Sequence, residues 1–276
     1  MSIFQLLLPA FVASLILTGI HAYLGVHVVE RGVIFVDLSL AQIAALGSTV
    51  AYLMGYDLHS TAAYLFSLSF TFLGAAIFAL SRVHRQTRIP QEAVIGIVYA
   101  VSAAVAILIM SKATQETEHL KEMLVGNILS VTWPELAKTA ILYSLVGVFH
   151  YVFRQRFLMI SMDEQAAERQ GLNVRFWDFL FYVSFGFVVT SSVAIAGVLL
   201  VFCFLIVPSV TAMLFASRLG PRLAIGWIMG ALVSAGGVAL SFVLDLPTGA
   251  TIVATFGLTL LLLAGVRKAF FKPITA

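Results

Sequence analysis

Apolar residues in this chain fall into long runs, each close to the thickness of a bilayer, with the polar residues collected in the gaps between them. In hydrocarbon every backbone amide must be satisfied within its own segment, so runs of roughly 20 apolar residues become helices. The pattern predicts spans near 3–24, 33–54, 60–81, 92–111, 136–153, 177–192, 194–216, 223–244 and 250–266. The sixth and seventh share one apolar stretch. They form either a tight hairpin turning near Ser191-Ser192 or one tilted span followed by a re-entrant piece. The expected fold is an all-α polytopic transmembrane helical bundle of eight or nine spans, in a single domain over residues 1–276. The first Lys or Arg is Arg31, so the opening run lacks the basic start of an export signal and is expected to stay as a span.

The gaps carry the direction. With the N-terminus outside, the alternate inside loops hold Arg31; Arg82, Arg85 and Arg88; Arg154, Arg156, Arg169 and Arg175; Arg218 and Arg222; and Arg267, Lys268 and Lys272. Those are 13 of the 16 basic residues, leaving Lys112, Lys121 and Lys138 outside. Basic residues favour cytoplasmic loops, so this asymmetry predicts an outside N-terminus and a cytoplasmic C-terminus. Two loops exceed the length of a connector. The inside segment at about 154–176 predicts a short surface helix over Asp163–Gly171, with Ser161 or Asp163 as N-cap, Glu164 in the first turn and Gly171 as the stop. The outside segment Lys112–Glu135 begins charged and continues into apolar Met123–Val131, which can dip back into the protein.

Composition agrees with a lipid-facing protein. Only 11% of residues are charged and the mean hydropathy is +1.04, against about 25% charged in soluble domains. The net charge of +3 sorts by membrane side and gives no nucleic-acid signal. Cys203 is the only cysteine, so no internal disulfide can form.

Catalytic motifs are missing: the chain has no Gly-x-x-x-x-Gly-Lys-Ser/Thr phosphate loop, no His-Glu-x-x-His and no Gly-x-Ser-x-Gly. Charged residues at membrane depth cost about 2.5–3.5 kcal/mol and are functional candidates. Asp37 lies one turn into the second span, Glu92 opens the fourth, and Asp245 follows the eighth; Asp37 and Asp245 are read as the only aspartates near spans. Asp37 and Gln42 line a polar path, or else Asp37 is interfacial beside Arg31 and Gln42 bonds a neighbouring helix. His21, His27, His59, His84 and His150 are expected at span ends, in reach of water. His119, flanked by Glu116 and Glu122 on one helical face, is either a weak outward cation site or a solvated face. Gly226 and Gly230 form a small-residue step of the kind that lets helices approach closely.

Four segments in order carry a resemblance. They are Leu124-Val125-Gly126-Asn127-Ile128-Leu129-Ser130-Val131, the inside helix Asp163–Gly171, Val198-Leu199-Leu200 through Pro208-Ser209-Val210-Thr211-Ala212, and Asp245-Leu246-Pro247-Thr248-Gly249. Together they resemble the integral permeases of ATP-binding-cassette importers for zinc, manganese and iron, over nearly the whole chain. The resemblance implies a homodimer in a bacterial cytoplasmic (inner) membrane, two cytoplasmic ATPase subunits, and an extracytoplasmic solute-binding protein. It places ATPase coupling at Asp163, Glu164, Ala167 and Gly171. It implies no cofactor on this chain, with ATP used by the partner subunit. The family usually carries Gly-Asp-x-x-x-His-Ala on the second span, whereas here Leu38 and Gln42 occupy the aspartate and histidine positions and Asp37 lies one residue early. Divalent metal transport is the expected function, with Asp37, Gln42 and Glu92 as path candidates and Asp37, Gln42, Glu116 and His119 as weak metal candidates. A metal chelate or small organic nutrient is the alternative substrate, and a self-sufficient secondary transporter is the alternative class.

Overall fold

The computed structural model of the chain describes residues 3–57, 60–82, 90–111 and 128–270. Ten helices are described: α1 (Ile3–Arg31), α2 (Val36–Leu53), α3 (Thr61–Leu80), α4 (Gln91–Met110), α5 (Trp133–Val152), α6 (Arg154–Met162), α7 (Glu164–Arg169), α8 (Val174–Phe215), α9 (Leu219–Leu244) and α10 (Thr248–Phe270), with a 3-10 turn at Ile128–Ser130. Seven of them are long and apolar enough to cross a membrane. An eighth span arises if α5 and α6, bent by 76° at their junction, count as one.

Local chemistry explains several ends. Ser60 caps α3 by accepting the Ala63 N–H at 3.1 Å. Asp245 takes the left-handed conformation (φ 53°) that ends α9, a region aspartate tolerates better than most residues. Ser241 then donates to the Leu246 carbonyl at 2.7 Å, closing the turn before Pro247. The departure from the hydropathy reading is in α8. A straight helix of 42 residues would be about 63 Å long, twice the roughly 30 Å of hydrocarbon. The break does not lie at Ser191-Ser192, both helical; it lies at Gly197, with φ 75° and ψ 162°. Only glycine adopts that geometry without strain. Ala196 and Val198 around it are buried, as non-helical backbone at membrane depth requires.

Two compact units divide the chain, and they are interleaved in sequence: Met1–Val29, Val125–Ala140 and Ile195–Ala276 make one, Glu30–Leu124 and Ile141–Ala194 the other. In the first unit α1 packs where side chains are smallest. A Cβ on Gly25 would come within 2.0 Å of the Leu205 carbonyl oxygen, and one on Gly230 within 2.2 Å of Thr18. The small-residue step of α9 thus meets α1 in close contact, and Trp227 Nε1 donates to the Gly19 carbonyl at 2.9 Å. In the second unit α2 packs on α3 and α4. In the same unit Phe149, Phe153, Phe157, Trp177 and Phe181 form an aromatic cluster of edge-to-face and tilted ring pairs.

Candidate functional site

The inside segment folds into two helices, α6 and α7. Asp163, with Oδ1 accepting the Ala166 N–H at 3.0 Å, is the N-cap of α7, so Ser161 is not. Gly171, at φ 74°, ends the turn, and Ala167 is fully buried beneath it. Glu164 extends from the first turn to Arg82, whose Nε donates to Oε1 at 3.1 Å. Arg82 also pairs with Asp178, and Arg31 binds the other oxygen of Asp178 at 2.7 Å. Arg31 Nε donates to Ser161 Oγ at 2.8 Å, and its guanidinium lies 4.0 Å from the Phe181 ring centre. Two arginines and two carboxylates therefore join the ends of α1 and α6, the segment after α3, and the starts of α7 and α8. Burial works against the charge on Arg82, yet Asp178 and Glu164 outweigh it and raise its pKa, keeping the guanidinium ionised.

Asp178 is the residue the sequence reading missed. Its side chain is fully buried, and it stands second in the apolar run opening at Trp177. A carboxylate at the mouth of a span beside an arginine-rich loop was the available signal. Arg31 is likewise no loop residue; it ends α1, and its side chain is 2% exposed and committed to Asp178.

Asp37 is buried, at 2% exposure, in the first turn of α2. Its carboxylate is supported by the backbone N–H of Leu38 and lies in electrostatic range of Glu92. Glu92, in the first turn of α4, accepts the Phe35 N–H at 3.0 Å and so lies against the start of α2. The outer oxygens, Asp37 Oδ1 and Glu92 Oε2, are buried without a hydrogen-bond partner. The structure therefore brings Asp37 to Glu92 and away from Gln42. Five residues along a helix is a rotation of about 140°, and Gln42 lies on a half-exposed stripe with Leu38 and Leu46.

His21 and His27 are not at a span end, because α1 continues to Arg31 and leaves both fully buried. His21 Nδ1 lies 2.7 Å from the Leu17 carbonyl, and His27 meets Tyr23 edge-to-face. His150 is also buried, stacked on Phe157 and bonded to Ser184 Oγ at 2.8 Å. Glu116, His119 and Glu122, with His59, His84 and most of the outer loop, lie outside the described residues. Among those described, no three of His, Cys, Asp and Glu come together as a metal-binding group.

The ABC 3 transport family matches residues 3–267. The manganese transport system membrane protein MntC of Listeria innocua is 29% identical over 244 residues, 88% of this chain and 84% of that protein. The chelated iron transport system membrane protein YfeC of Yersinia pestis is 27% identical over 270 residues, 98% of this chain and 87% of its own. PsaBC from Streptococcus pneumoniae, solved in complex with Fab, shares the fold with a TM-score of 0.76 at 24% identity, covering 95% of this chain and 91% of that one. This chain belongs to the ABC 3 transport family, as a multi-pass membrane permease.

Proposed function

We propose that this permease carries divalent metal ions inward across a bacterial cytoplasmic membrane, driven by ATP hydrolysed on a separate subunit. The observation that carries the reading is the full-length likeness to permeases named for manganese and iron transport. The chain holds no phosphate loop of its own. Helix α7, tethered by Glu164 to a buried charge network, offers the docking element that a separate ATPase needs. On this reading two copies of the chain assemble with two ATPases and an extracytoplasmic solute-binding protein. The N-terminus faces outside, and α7 lies on the cytoplasmic side.

A chelated metal is the second reading, favoured by Leu38 and Gln42 standing where the family usually has aspartate and histidine. Vesicles reconstituted with the permease, its ATPase and its binding protein decide between the two. ATP-dependent uptake of bare manganese(II) or iron(II) is the expected result. Uptake of a chelate with none of the bare ions would replace the first reading by the second.

A further inference from the structure

We infer that Asp37 and Glu92 form a divalent-cation site at the adjoining ends of α2 and α4. The inference deepens the metal-ion reading and rests on it for its role, though not for its geometry. The Phe35 N–H, donated to Glu92 Oε1 at 3.0 Å, pins that carboxylate two residues ahead of Asp37. Each acid thus turns one oxygen onto backbone, Glu92 to Phe35 and Asp37 to Leu38. Each leaves its other oxygen buried and without a donor.

Such an arrangement is unstable by itself. A buried ionised oxygen without a partner costs several kcal/mol, and two carboxylates in one site repel. Arg31 and Arg82 do not relieve them: Arg31 is held by Asp178 and Ser161, and Arg82 by Asp178 and Glu164. Both acids lie in the first turn of a helix, where the macrodipole offsets part of the cost that burial sets on the anion, the form that binds a cation. A dication between Asp37 Oδ1 and Glu92 Oε2 satisfies both bare oxygens and cancels the repulsion. Glu92 is partly exposed and Asp37 is not, so the site opens to solvent on the Glu92 side. Two carboxylates completed by water make a hard, weak site that accepts manganese(II) and iron(II) and has no thiolate or imidazole to select zinc. Weakness suits a station on a path, because an ion held tightly would not be released. In this chain, then, the acidic site is supplied by a partner on α4, one residue early on α2, instead of by the second-span aspartate–histidine pair.

Manganese(II) binding to the permease–ATPase complex in lipid nanodiscs, without nucleotide, tests the site by loss of the free-ion electron paramagnetic resonance signal. The wild type should bind saturably. Asp37→Asn and Glu92→Gln should each weaken binding at least tenfold, and Gln42→Ala should leave it unchanged. Both acid variants are nearly isosteric, and their melting temperatures and ATPase co-purification check that the fold persists. Wild-type binding in either acid variant, or no saturable binding in the wild type, overturns the site. Uptake measured in parallel separates the two claims. Manganese(II) uptake without Asp37-dependent binding removes the site and leaves the function, whereas Asp37-dependent binding without uptake of any bare ion keeps the site and removes the function.

Discussion

At the scale of single residues, Asp178 neutralises two arginines together, Arg31 and Arg82. Removing one member of a buried ion pair costs about 3–5 kcal/mol, since the partner is left charged and desolvated. Asp178→Asn should therefore lower the melting temperature of the detergent-solubilised protein clearly. Glu164→Gln should lower it much less, because that carboxylate is 38% exposed and the pair is screened, worth about 1 kcal/mol at most. Equal melting of both variants with the wild type would show that the network does not hold this end together. None of this pairing was legible in the sequence. Asp178 stands 147 positions from Arg31 and 96 from Arg82, and spacing along a chain says nothing about partners at such distances. Asp37 and Glu92 were both visible as acids at membrane depth, but their adjacency needed the packing of α2 on α4. His21 and His27 escape the hydropathy pattern for a simpler reason: α1 runs seven residues beyond Leu24, the end of the span that pattern predicts.

Elements were far more legible than contacts. Lipid demands long apolar helices, so the ends of α2, α3 and α4 fall within a few residues of the hydropathy reading. The break in α8 escaped it because Gly197 sits among residues as apolar as their neighbours, and one positive φ leaves no mark on hydropathy. Helix α7 shows the opposite case, readable because its signals are polar. Six residues cannot hold a helix alone in water; its support comes from the Asp163 cap, worth about 1 kcal/mol, from buried Ala167, and from the Glu164–Arg82 tether. Glu164→Arg would set two cations against each other at that tether. The permease should still insert and purify, while ATP hydrolysed per ion transported rises several-fold in reconstituted vesicles. An unchanged ratio would show that the ATPase is coupled elsewhere.

For the whole molecule, the sidedness drawn from basic loop residues gives a direct test. The single native cysteine, Cys203, is buried, so an introduced thiol reports on its own position. Asp57→Cys, in the exposed link between α2 and α3, should react with a membrane-impermeant maleimide on intact cells. Gln165→Cys, exposed on α7, should react only after permeabilisation. Labelling of both from one side would reverse the assigned topology. The interleaving of the two units also orders events during synthesis. All of the second unit has been made once Ala194 is added, whereas the first still awaits everything from Ile195 onward. Gly25 on α1, which packs on the Leu205 backbone, is made 180 residues ahead of its partner. At about 5–20 residues per second the wait lasts roughly ten to forty seconds. During that time the earliest helix stands in the membrane with its seam of small residues uncovered, so the nascent chain depends on lipid or the insertion machinery to shield that face until the last third of the protein arrives.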